Sequence, residues 1–114
     1  MSRECIQQGD LLLVPVAVIP TVEPRPRDAQ GRHVFAAGAT GHIHALDRDD
    51  LGEVYEAGGP VVLVVPMGGT MLRHLVVATG QPTQDHAPVF VECGAWEVRR
   101  QREVRYGESA VVED

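Results

Sequence analysis

Cys93-Gly94-Ala95-Trp96-Glu97-Val98-Arg99-Arg100-Gln101-Arg102-Glu103-Val104-Arg105-Tyr106 is the most patterned stretch of the chain, and its reading decides the fold. Trp96, Val98, Arg100, Arg102, Val104 and Tyr106 fall at alternate positions, with Glu97, Arg99, Gln101, Glu103 and Arg105 between them. That is the two-residue period of a strand, not the 3.6-residue period of a helix. One face changes from apolar to basic halfway along, so the strand is expected to begin in the core and run outward. Val89-Phe90-Val91 leads into it through a turn at Cys93-Gly94.

Outward from this stretch the same grammar repeats. Asp10 to Ile19 is opened by Gly9 and closed by Pro20, with Pro15 marking a bulge or an edge. His33 to Ala37 and Gly41 to Leu46 are joined by Gly38-Ala39-Thr40-Gly41, a tight turn. Glu53 to Ala57, Pro60 to Val65 and Met71 to Thr79 follow, separated by Gly58-Gly59 and by Pro66-Met67-Gly68-Gly69. Pro20 to Gly31 carries three prolines and reads as an extended loop. Apolar residues make up 44% of the chain but aromatics only 4%, so valine and alanine carry much of the core. Branched Cβ atoms favour pleated surfaces, and twelve Gly with eight Pro leave little room for long helices. Seven or so short strands with closely spaced turns predict one all-β domain over residues 1–114, a small barrel or a sandwich, with flexible ends at 1–7 and 107–114.

Charge narrows the partners. A net charge of −6 repels a phosphate backbone, so nucleic acid is not an expected partner. The longest apolar run, Leu11 to Ile19, is too short to span a bilayer, and the N-terminus has no signal-like apolar region. Cys5 and Cys93 form no C-x-x-C pair and are expected as reduced thiols in a cytoplasmic protein.

The sharpest chemical lead is Gly41-His42-Ile43-His44, because alternation in a strand sends both imidazoles to one face, close enough to chelate one ion. Further ligands would come from His86, Glu97, Glu53 or Asp49, while His33 and His74 are less well framed. The competing reading is a His-x-His strand that faces solvent or steadies a turn. Arg100 and Arg102, on the face that holds Trp96 and Tyr106, suit a carboxylate or phosphate, since a guanidinium meets either with two hydrogen bonds. The competing reading there is a solvated face or an interface with acidic groups of another subunit. The chain has no G-x-S-x-G elbow, no phosphate-binding glycine loop and no lysine.

Two resemblances follow from these segments. A glycine-bearing turn, His42-x-His44, an acidic residue soon after and later Glu92-Cys93-Gly94-Ala95-Trp96-Glu97 resemble the two-motif layout of cupins, which are double-stranded β-helix barrels. The resemblance implies a cupin-like barrel with a divalent metal, Zn, Fe, Mn or Ni, near His42 and His44. The chain departs from it at Ala36, where cupins have glycine, and at Glu97, where the second motif ends in histidine. Gln8-Gly9-Asp10, Gly41-His42-Ile43-His44, His86-Ala87-Pro88-Val89 and Arg99-Arg100-Gln101-Arg102-Glu103 are together similar to a family of small uncharacterised proteins from actinobacterial and phage genomes. That similarity implies a shared β fold and names no activity. The expectation is a small structural or interaction module that forms a homo-oligomer or larger assembly, cytoplasmic or, if phage-encoded, associated with a virion. The alternative expectation is a cupin-like metal-binding protein or metal-dependent enzyme acting on a small molecule.

Overall fold

A computed structural model describes residues 3–37, 41–56, 58–100, 103–105 and 108–110. The described chain is all-β, with strands β1 (Ile6–Gln8), β2 (Leu11–Val16), β3 (His33–Ala37), β4 (His42–Leu46), β5 (Glu53–Glu56), β6 (Val61–Val65), β7 (Thr70–Val76), β8 (Val89–Val91), β9 (Gly94–Arg100), β10 (Glu103–Arg105) and β11 (Glu108–Ala110). β1-β2-β9-β6-β5 form one antiparallel sheet and β3-β4-β7-β8 a second, while β10 and β11 pair as a separate hairpin. Of the barrel and the sandwich left open above, the described strands make two facing sheets and no closed barrel.

The long alternating stretch forms β9 and sits at the centre of the five-stranded sheet, between β2 and β6. Its register sets Trp96 against Pro15 and Leu63, and Val98 against Leu13 and Val61, so the inward-facing residues of three strands stack in rows. Leu46 and Leu72 from the second sheet join Leu11, Leu13, Leu63 and Trp96 in one buried cluster. Trp96 is fully buried, donates its indole N–H to the Glu92 carbonyl (3.1 Å) and carries the Arg3 guanidinium 4.6 Å above its ring. Of the rest of that stretch, residues 101–102 and 106 lie outside the described residues, and Glu103–Arg105 form β10.

Two sets of hydrogen bonds tie the sheet edges together. On one side the loop after Pro20 crosses from β5 to β3: the Arg25 N–H donates to the Val54 carbonyl (2.6 Å) and its guanidinium to the Val34 carbonyl (3.1 Å). Exposed ladder groups at both edges are thereby covered, which blunts edge-to-edge pairing. On the other side the Gln8 side-chain amide donates to the carbonyls of Leu72 (3.0 Å) and Ala87 (2.9 Å). Ile6 and Gln7, expected in a flexible arm, instead pair with Leu13 and Leu12, which is what places Gln8 for that clasp. Of the tail expected to be loose, Glu108–Ala110 pairs with β10, and Gly107 and 111–114 lie outside the described residues. Among the described residues no helix is long and apolar enough to cross a membrane.

Candidate metal centre

Alternation along β4 gives His42, His44 and Leu46 one face, and Leu46 belongs to the shared core. Both imidazoles therefore point between the sheets. In β7 the inward parity falls on Thr70, Leu72, His74 and Val76, and the antiparallel register sets His44 directly opposite His74 and His42 opposite Val76. Cross-strand neighbours on one face stand close enough for side-chain contact, and the His44 and His74 ring centroids are 4.7 Å apart. The connection between β7 and β8 closes the end of the interior and brings in Thr83, Asp85 and His86. His86 stands 4.7 Å from His74 and 6.3 Å from His44, while His42 stands 5.2 Å from His74, all between ring centroids. One end of the sandwich interior is thus built of imidazole, whereas the shared core is mostly leucine and valine around Trp96.

Within this cluster three groups converge. One donor atom each from His42, His74 and Asp85 lies within 4.8 Å of the other two, and His42 Nδ1 is already 3.1 Å from an Asp85 carboxylate oxygen. The three come from β4, β7 and the following loop. His74 is fully buried, His42 is 21% exposed and Asp85 is 53% exposed, so the group reaches from the interior to the surface. Thr83 Oγ1 lies against His74 Nδ1 at 2.5 Å, and the Thr83 N–H donates to the His74 carbonyl at 2.9 Å. Thr83 therefore orients the His74 ring and directs Nε2 to any ligand role, the arrangement by which outer partners fix a ligating imidazole.

His44 has different work. The Gln8 NH₂ donates to two carbonyls, so its Oε1 is the acceptor and His44 Nδ1–H donates to it at 2.8 Å. His44 Nε2 faces Asp10 Oδ1 at 3.4 Å, and the other Asp10 oxygen accepts from Arg100 Nε at 2.6 Å. Asp10 and His44 are both buried, whereas Arg100 remains 29% exposed. Buried charge is tolerated where it is paired and hydrogen-bonded, so Arg100, Asp10, His44 and Gln8 read as the support on which the convergent group rests. Arg100 thus has an acidic partner within its own chain, and Arg102 lies outside the described residues.

The remaining expected ligands stand elsewhere. Glu97 is in β9 next to Trp96, and strand alternation sends it to the opposite, outer face, where it accepts from Arg99 Nε at 2.6 Å. That hydrogen bond holds its carboxyl below the usual range. Asp49 sits exposed in the turn after β4. His33 faces inward at the far end of β3, opposite Leu46 and away from the imidazole cluster. Burial, reinforced by the charges of Arg27 and Arg25, lowers its pKa to about 4. In the sequence reading His74 stands below the other candidates, and Asp85 is not named as one. A histidine at an inward position between Leu72 and Val76 was the available signal for the first; Asp85, in a loop, offered none beyond its place beside His86.

No curated protein and no solved structure matches the chain. A model described as a domain of unknown function (DUF8820) matches residues 7–101, a span that runs from Gln8 through Asp10, all four clustered histidines and Asp85 to Arg100. The chain belongs to the DUF8820 family.

Proposed function

We propose that this domain binds one divalent transition-metal ion through His42, His74 and Asp85, and that this centre is the seat of its function. The observation that carries the reading is the convergence of two imidazoles and one carboxylate, from three separate segments, within 4.8 Å of one another. Donors around one ion at about 2.1 Å stand roughly 3–3.5 Å apart, so small side-chain rotations bring this group to ligating geometry. Two histidines and one carboxylate bind one side of an ion and leave positions open, a set that suits Fe, Mn, Ni or Zn. A bound ion would supply Lewis acidity to a small oxygen-bearing ligand at those positions. The residues do the rest: Thr83 orients His74, Gln8 and Asp10 hold His44 against the His74 ring, and His86 stands beside the group as a further nitrogen donor. The resemblance to cupins agrees with this reading in placing a His-x-His strand at an interior metal site, with His74 and Asp85 taking places that the resemblance gave to other residues.

Elemental analysis of untagged protein purified without chelator, with titration calorimetry of the stripped protein, tests it. Near-stoichiometric metal is expected, reduced at least tenfold by His42→Ala and by His74→Gln, weakened by Asp85→Asn and unchanged by Glu97→Gln or Asp49→Asn. Folded parent protein that binds none of the four ions more tightly than its His42→Ala variant would remove the proposal.

A further inference from the structure

β4 turns two histidines inward and one isoleucine outward. Ile43, between His42 and His44, points away from the metal centre and packs with Ala45, Leu75 and Val34 in a second apolar cluster. Ile43 and Val34 line a cavity of about 370 Å³ on this outer side of the four-stranded sheet, within the size range of small-molecule sites. Its polar lining comes from the loop before β3, which brings Arg32, and from the turn after β7, which brings Thr79 and Gly80.

Arg32 sets the chemistry of this cavity. Its side chain is only 17% exposed and is held in place. Nε donates to Asp47 Oδ1 at 3.1 Å, an oxygen that also takes the Arg48 N–H at 2.9 Å, and the Arg32 backbone N–H donates to Asp28 Oδ1 at 2.9 Å. Gly80, with φ of 71°, lies against the guanidinium, and a Cβ there would collide with Nη2. Yet among the described residues neither Nη1 nor Nη2 has an acceptor. The other arginines of this loop differ: Arg25 gives Nη1 to Glu56 and Nη2 to the Val34 carbonyl, and Arg27 gives both to backbone carbonyls. A guanidinium that is mostly buried, fixed by its Nε and left with unused terminal donors beside a cavity is set to meet an acceptor from outside the chain.

We infer that this cavity binds a small monocarboxylate with a short aliphatic body. A carboxylate matches the Nη1–Nη2 end of a guanidinium with two charge-assisted hydrogen bonds. The Thr79 hydroxyl oxygen accepts from the Gln81 N–H at 3.2 Å and so keeps its proton to donate. Val34 and Ile43 take the aliphatic body, and their burial in the cluster below them fixes that surface. One charge fits better than two. Asp47 already partners Nε, and Asp28, whose Oδ1 is spent on the Gln30 and Arg32 N–H groups, also lines the cavity. Like charges brought together cost free energy, which sets a phosphate dianion below a carboxylate here. The site stands across β4 from the metal centre and does not depend on an ion.

Amide-resolved NMR titration of the parent chain with butyrate, with its neutral isostere butyramide and with inorganic phosphate tests the inference. Butyrate is expected to give saturable shifts centred on residues 28–34 and 77–80, with butyramide and phosphate binding at least tenfold more weakly. Arg32→Gln should weaken butyrate at least tenfold. Ala78→Phe does the same by filling the cavity from an exposed position of its lining, with Arg32 and Asp47 untouched. His42→Ala should leave the butyrate response unchanged. A folded parent that does not respond to about 50 mM butyrate overturns the inference, as does butyramide or phosphate that binds as tightly as butyrate. A response that persists unchanged in Ala78→Phe or in folded Arg32→Gln overturns it as well, and one lost in His42→Ala does so by placing the carboxylate at the metal centre.

Discussion

His33 and His74 are both buried imidazoles on inward positions of the same sheet, yet their surroundings set them different tasks. His33 meets guanidinium groups and apolar side chains, and its Nδ1 has no hydrogen-bond partner among the described residues. Because its folded pKa of about 4 lies below the ordinary 6.5, the unfolded chain takes up a proton first as pH falls. The stability it contributes is complete above pH 6.5 and is lost on descent toward pH 4, at no more than about 1.4 kcal/mol per pH unit. Urea unfolding between pH 7 and pH 4.5 should therefore show a shallower loss of stability for His33→Leu than for the parent, and parallel curves would contradict the assignment. His74 sits instead among three other rings and a threonine hydroxyl, with Thr83 holding one ring nitrogen and the other turned toward the cluster. Sequence spacing could not separate these two histidines, since both occupy inward strand positions. The difference is made by what the β7–β8 loop and the β1–β2 turn deliver from far along the chain.

At the scale of elements, most strands were legible because glycine and proline bracket them so closely. β3, β4, β6 and β8 fall within or very near the stretches read from alternation and turn residues, and Trp96 with Val98 does face the core. β1 was missed because three residues, two of them glutamine, carry no periodic signal, and its existence depends on pairing with β2. The faces of the five-stranded sheet were harder still, since valine on both sides of β6 obscures which side is inward. The turn between β6 and β7 shows how strictly such punctuation is required. Gly69 has φ of 78°, and a Cβ there would meet the Phe90 ring and the Val91 carbonyl oxygen at 2.8 Å. Both the left-handed backbone and the closeness of β8 demand glycine. Gly69→Ala should destabilise the domain by about 2 kcal/mol or more, whereas Gly58→Ala, with open space around its Cβ, pays only for the backbone, about 1 kcal/mol. Equal urea midpoints for the two variants would show that β8 does not press on this turn.

At the scale of the molecule, the two sheets share one leucine-rich core and, among the described residues, are fastened at their edges by polar groups that include Arg25 on one side and Gln8 with Asp10 on the other. The imidazole end of the interior lies by the Gln8 clasp, and an ion held by His42, His74 and Asp85 would join β4, β7 and the β7–β8 loop at the place where apolar packing gives way to polar side chains. A ligand that binds only the folded chain raises stability by RT ln(1 + [L]/Kd), about 2.7 kcal/mol at a hundredfold excess over Kd. For a domain near 100 residues each kcal/mol moves Tm by about 4–8 °C, so saturating metal should raise the melting temperature of stripped protein by about 10 °C or more. Histidine ligands bind metal only when deprotonated, so the rise should shrink between pH 7.5 and pH 5.5 as protons compete. His42→Ala should abolish the rise while Glu97→Gln keeps it, because Glu97 stands on the other face of its sheet. Calorimetric melts of the three proteins with and without each ion decide the matter: a rise that is identical in His42→Ala would mean that the ion binds elsewhere and that the convergent group is a hydrogen-bonded part of the core.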